Sequence, residues 1–323
     1  MGLNSARPAG EVPDSGHRTL VESVLEAGLL EPLLAEVRRF EPRFDRAQGE
    51  RNLAVVTREL EEAGLPCPPG TARDLVTMQQ LILPTEDDAL SLALARTHVF
   101  VTAFDNMCNE DGALTRAVLA GLGTTPTHSP HAAYMERTLR AFEPFCDPVF
   151  LGVHRGFLIE ALVGVLFEAE FAPDADDAID TDGVRIRSGY NAFWSGMIQF
   201  LHPGLDFCRN TSFWAHVLPW TSLYLADMND ALSFYKESLD EREFTTSAIY
   251  REAVRRRIPY TESYRRTLER ALLSRRRALA CADDTQRPYL ATYMNGYVYW
   301  HLRVERYRWS DLVPELTPVT FLR

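Results

Sequence analysis

Between residues 19 and 40 the apolar positions Leu20, Val24, Leu25, Leu29, Leu33, Leu34 and Val37 recur at intervals that line one face of an α-helix. The same period runs through Arg46–Ala63 and Ala72–Leu83, separated by the breaker Gly64-Leu65-Pro66-Cys67-Pro68-Pro69-Gly70-Thr71. It predicts further helices over Asp87–Asn109, His131–Phe145, Pro148–Phe171, Val184–Leu201, Ser212–Glu237, Thr245–Arg257, Thr261–Cys281 and Gln286–Trp309. Pro148–Phe171 is apolar nearly all round, which predicts a central helix. The acidic segment Ala172–Asp182 reads as a solvated loop, and residues 1–16, rich in Pro, Gly and Ser, as a disordered tail. Convincing strand-like alternation, internal repeats and a Gly/Ser linker are all absent. The expected architecture is a single all-α helical bundle over residues 17–312, followed by a short tail over 313–323.

Polar residues that interrupt this pattern are the candidates for chemistry. In Ser212–Glu237, at about 100° per residue, Asn229, Ser233 and Glu237 fall on one narrow stripe. An amide oxygen, a hydroxyl and a carboxylate are suitable ligands for a hard divalent cation such as Mg2+. Lys236 lies near the stripe, which suits a metal-bound anion better than a metal alone. A solvated polar face is the alternative, and the apolar neighbours Leu223, Leu225, Met228 and Leu232 weigh against it.

Asp105 and Asn109 share a face at the end of Asp87–Asn109, after the apolar ramp Val99, Phe100, Val101 and Phe104. Acids there oppose the helix dipole, so either a bound cation or solvent exposure is needed. Near the C-terminus Tyr299 and Trp300 precede Arg303, Arg306, Tyr307 and Arg308. This basic end could grip an oxyanion or simply complement the helix dipole. Arg185 and Arg187 open a further helix, as an anion contact or a surface pair. His98, His154, His216 and His301 stand isolated on apolar helices and read as packed core residues.

Composition narrows the function. A net charge of −11 argues against a nucleic-acid partner, which would need many Lys/Arg to neutralise phosphates. The five cysteines carry no CxxC spacing and read as buried free thiols in a reducing compartment. No run of 18 apolar residues occurs. A soluble cytoplasmic protein without membrane insertion is the expectation. Neither a G-x-S-x-G elbow nor a glycine-rich phosphate loop is present.

The segments Asn229–Glu237 (NDALSFYKE) and Gly296–Leu312 (GYVYWHLRVERYRWSDL) resemble the class I terpene cyclases, specifically the fungal trichodiene synthase-like family. The resemblance covers most of residues 17–312 and implies an α-helical bundle around a central active-site cavity. It implies that Asn229, Ser233 and Glu237 bind one Mg2+ and that Asp105 helps to bind two more, with Mn2+ as a substitute. Lys236, Arg187, Arg306 and Tyr307 would hold the diphosphate, and Phe104, Phe157, Phe193, Trp194, Tyr224, Tyr299 and Trp300 would be candidates to wall the cavity. The implied activity is ionisation of farnesyl diphosphate and cyclisation of the farnesyl cation to a sesquiterpene hydrocarbon or alcohol, with a homodimer as an option. One departure stands out: the family's D-D-x-x-D motif reads here D-N-x-x-N-E, from Asp105 to Glu110. Amides bring less charge to a metal than carboxylates. The alternative is therefore a cyclase homologue that binds a terpenoid or partner enzyme, or quenches the cation with an external nucleophile such as an amine.

Overall fold

The structure is a computed structural model that describes residues 15–65, 67–108, 112–123, 129–170 and 187–322. Among these residues there are α-helices and short 3-10 turns but no strand. Of the expected tail over residues 1–16, residues 1–14 lie outside the described residues, while Ser15 and Gly16 already belong to the first helix. The Ala172–Asp182 loop and residues Asn109, Glu110, Asp111 and Arg185 also lie outside the described residues.

Each predicted helix has a counterpart, with boundaries moved where the backbone requires it. The first splits into α1 (Ser15–Glu26) and α2 (Glu31–Arg39). Gly28 takes φ +67, in the left-handed region that favours glycine, and Pro32 then sits in the first turn of α2. Next come α3 (Arg46–Glu62), α4 (Pro69–Ile82), α5 (Asp88–Cys108), α6 (Gly112–Gly121), α7 (Pro130–Arg140) and α8 (Pro148–Glu170). The segment expected as one helix to Leu201 contributes α9 (Asn191–Gly196) and a 3-10 turn. The chain continues with α10 (Thr211–Glu237). Ser247 adopts an extended backbone and accepts the Tyr250 amide on its hydroxyl, so the predicted 245–257 helix becomes α11 (Glu241–Thr246) and α12 (Ala248–Arg256). The last two helices are α13 (Tyr260–Cys281) and α14 (Arg287–Arg303).

The packing order closes on itself. Helix α5 packs on α4, α4 on α14, α14 on α10, α10 on α9, α9 on α8, α8 on α6, and α6 on α5. These seven helices form a ring. Outside it, α13 lies along α10, α3 covers α4 and α5, α7 covers α5 and α6, and α2 covers α14. His98 of α5 meets Trp194 of α9 at 4.8 Å between ring centroids, a contact between two helices that are not neighbours in the ring. It therefore spans the interior.

Helix α8 is less central than its composition predicts. His154, Leu158, Ala161, Leu162 and Val165 are buried, but Val149, Ile159 and Phe167 face outward with 63%, 38% and 54% exposure. By length and composition alone its Pro148–Glu168 stretch could cross a membrane; here its inner face is part of the ring, and Arg155 pairs with Glu136 of α7. The expected C-terminal tail is also packed. Leu322 is fully buried against Gly49, and Phe321 contacts Phe44. Cys67, Cys146 and Cys281 are only half-buried and Cys208 is exposed, so these free thiols sit nearer the surface than expected.

Candidate functional site

The last turns of α10 present the predicted oxygen stripe. Ser233 is buried, while Asn229 and Glu237 are half-buried. The Ser233 hydroxyl donates to Glu237 Oε1 at 2.6 Å, so two of the three donors already converge. Asn229 Nδ2 lies 3.3 Å from the Tyr297 hydroxyl and 3.4 Å from His301 Nε2, both on α14.

The C-terminal segment folds back over this end of the ring. Helix α14 stops at Arg303 rather than continuing to Trp309, because Val304 is extended. Glu305–Tyr307 form a 3-10 turn, and Arg308 takes a left-handed φ of 60. The Trp309 indole then donates to the Leu232 carbonyl of α10 at 2.8 Å and packs on Tyr235. This return buries Tyr307 against His301 at 4.4 Å and edge-on to Trp300 at 5.3 Å. Burial pushes the Tyr307 phenol far above its ordinary range; Arg306 opposes the shift, while Tyr297, Glu237 and Asp74 add to it. Tyr307 therefore stays a neutral hydroxyl, electrostatically in touch with Glu237 from the stripe.

Asp74 of α4 joins the same end. The Trp300 indole donates to its backbone carbonyl at 2.8 Å. Burial pushes the Asp74 carboxyl up from 3.8 to about 6, against the pull of Arg306 and Arg73. A carboxyl whose folded-state pKa is raised stabilises the protein below its unfolded value, and that contribution is lost as pH rises through about 6. Asp74→Asn is expected to flatten the stability profile between about pH 4 and 7, checked by thermal melts across that range. A profile as steep as the parent's would remove Asp74 as the cause.

The other candidates are placed as follows. Asp105 is half-buried in the last turn of α5, and the side chain of Asn106 lies outside the described residues. Lys236 pairs with Glu243 of α11 at 2.8 Å. Arg187 pairs with Glu160 of α8 at 3.1 Å, both about half-exposed. Phe104 is buried against His131 of α7, at the α5–α7 seam. Tyr299 packs outward on Phe40 and Phe321, and Arg303 lies over its ring. Arg308 bonds Asp311, and Arg303 donates to the Glu315 carbonyl. Two clefts of about 450 and 480 Å3 lie elsewhere, one lined by Glu36, Arg39 and Asn295, the other by Glu252, Arg256 and Arg270.

His98, His154 and His301 are buried as expected, with burial pushing them down to about 4, 3 and 3, so all three are neutral. His216 is instead exposed and bonded to the Ser212 carbonyl. The sequence pattern does not set His301 beside the stripe, although it lies one turn after Tyr297 and shortly before Arg306. Asp74 carried no sequence signal.

The donor chemistry fits Mg2+. All three side chains can offer an oxygen, with one carboxylate among them, which is the ligand type a hard cation takes. Among the described residues, no group of three or more His, Cys, Asp or Glu converges.

The all-α fold matches that of solved terpene synthases. A linalool/nerolidol synthase from Streptomyces clavuligerus superposes with a TM-score of 0.57 at 14% identity, over 81% of this chain and 97% of that one. A single-residue variant of cucumene synthase superposes with a TM-score of 0.54 at 17% identity, over 81% and 98%. These likenesses support the terpene cyclase fold without reaching the trichodiene synthase-like subfamily. The chain matches no protein-family model and no curated protein sequence.

Proposed function

We propose that this chain is a Mg2+-dependent sesquiterpene cyclase of the trichodiene synthase-like kind, acting on farnesyl diphosphate. The observation that carries the reading is the Asn229, Ser233 and Glu237 oxygen stripe at the end of a terpene synthase ring, with Tyr307 folded back beside it. Asn229, Ser233 and Glu237, with Asp105 from α5, would hold Mg2+, which when bound supplies Lewis-acid neutralisation of the diphosphate charge.

Arg306 and the neutral Tyr307 hydroxyl offer donors to diphosphate oxygens, and Arg187 would add a third. Lys236 would exchange Glu243 for the substrate. The allylic carbon–oxygen bond breaks heterolytically, and its electron pair leaves with the diphosphate. Aromatic faces such as Trp194 exclude water and stabilise the cation through their ring quadrupoles. Loss of a proton or capture of water ends the reaction.

The amides of the D-N-x-x-N-E motif favour a second reading, a homologue that binds diphosphate or a terpenoid without independent ionisation, or that passes the cation to an amine. The test incubates the purified chain with farnesyl diphosphate and Mg2+, with and without an amine, and follows diphosphate release and product mass. Cyclic products that disappear on chelation support the cyclase. Metal-dependent diphosphate binding without turnover of geranyl, farnesyl or geranylgeranyl diphosphate would favour the second reading.

A further inference from the structure

Asn229 faces α14 through the nitrogen edge of its amide. An asparagine amide has a donor edge and an acceptor edge, and only the oxygen edge can serve a cation. What fixes the flip is therefore part of the site.

His301 supplies the answer. Its Nδ1 lies 2.9 Å from the Tyr297 carbonyl, which can only accept, so Nδ1 carries the ring proton and Nε2 is left as an acceptor. The ring is fully buried and held by Tyr297 at 4.3 Å, Trp300 at 4.7 Å and Tyr307 at 4.4 Å. Turning the ring over would give up the Nδ1 contact with the Tyr297 carbonyl. With the amide reversed, Asn229 Oδ1 would face the Nε2 lone pair, an acceptor against an acceptor. The Tyr297 hydroxyl could not make this choice alone, because a hydroxyl donates or accepts and tolerates either flip.

We infer that His301 is a positioning residue for the cation site: its Nε2 holds the Asn229 amide with Nδ2 toward α14, so that Oδ1 is the edge presented as a ligand. The inference rests on the cation-site reading of Asn229, Ser233 and Glu237. It also gives a buried neutral histidine a task for which simple core packing would not need a ring nitrogen.

The test uses the full chain with Mn2+ and inorganic diphosphate, reading bound metal by electron paramagnetic resonance in the parent, His301→Phe and His301→Gln. Phenylalanine keeps the ring and its bulk but has no acceptor, whereas glutamine offers Oε1. His301→Phe is expected to weaken Mn2+ binding by about 10- to 100-fold, with His301→Gln recovering most of it. A purely structural role would lower the melting temperature of both variants without this split. His301→Phe that binds Mn2+ within about twofold of the parent would overturn the positioning role and leave the cation site standing. A parent that binds no Mn2+ with diphosphate would overturn the site itself, and the positioning role with it. Should His301→Phe not fold, nitrogen-15 resonances of the parent's imidazole decide: an Nδ1–H tautomer supports the inference, and an Nε2–H tautomer overturns it.

Discussion

Glu237→Ala is expected to lower diphosphate release from farnesyl diphosphate by about 10²- to 10³-fold, the range seen when one element of transition-state charge stabilisation is removed. Glu237 is the carboxylate among the three stripe residues, so its loss takes that formal negative charge out of the stripe. It also removes the acceptor of the Ser233 hydroxyl, 2.6 Å away, and so disturbs a second donor. The stability cost should be much smaller. Glu237 is half-buried, and one lost hydrogen bond is worth about 1 kcal/mol. A continuous diphosphate assay beside a thermal melt separates the two effects. Activity within about threefold of the parent, in a folded variant, would place the transition-state stabilisation elsewhere.

The stripe was legible because helical period alone brings Asn229, Ser233 and Glu237 together, and their apolar neighbours made three oxygens conspicuous. Period could not show what faces them. Trp300 and Asp74 are separated by 226 residues yet joined by an indole–carbonyl hydrogen bond. Nothing along α4 distinguishes Asp74 from any other acid on an amphipathic helix, and only the burial around it reveals its raised pKa.

Aromatic residues were ambiguous for a related reason. Phe104 and Tyr299 satisfy hydrophobic patterning whether they point inward or seal an outer seam, and the structure sets them at the α5–α7 and α2–α14 seams. Helix breaks were missed where they depend on one residue's backbone. Val304 carries no breaker signal, yet its extended conformation turns Arg306 and Tyr307 off the axis of α14 and toward α10. Helix α8 misled because composition measures apolarity, not direction: its exposed Val149, Ile159 and Phe167 look the same in sequence as its buried face.

Gly296→Ala is expected to cost about 3 kcal/mol, at the upper end of overpacking effects, and to weaken the site as well as the fold. A Cβ at this position would lie 2.3 Å from the Leu81 carbonyl oxygen, 2.8 Å from the Leu81 carbonyl carbon and 3.2 Å from Ile82 Cα. All of these are backbone atoms of α4, so no side chain can rotate away and the two helices must separate. One turn further along α14, Trp300 donates to the Asp74 carbonyl of α4, and that bond would stretch with the seam. Tyr297 and His301, which meet Asn229, lie on the same stretch of α14, so the displacement reaches the oxygen stripe. A lowered melting temperature together with a raised Mg2+ requirement is the expected pair of results. Gly152→Ala and Gly156→Ala on α8 are the controls, because an added Cβ there meets nothing within 4 Å. Removing backbone freedom from a helix interior should make each of them about 0.5–1 kcal/mol more stable than the parent. If Gly296→Ala melts with these controls, close backbone approach is not what sets α14 against α4, and the seam must be held by Trp300 and its neighbours instead.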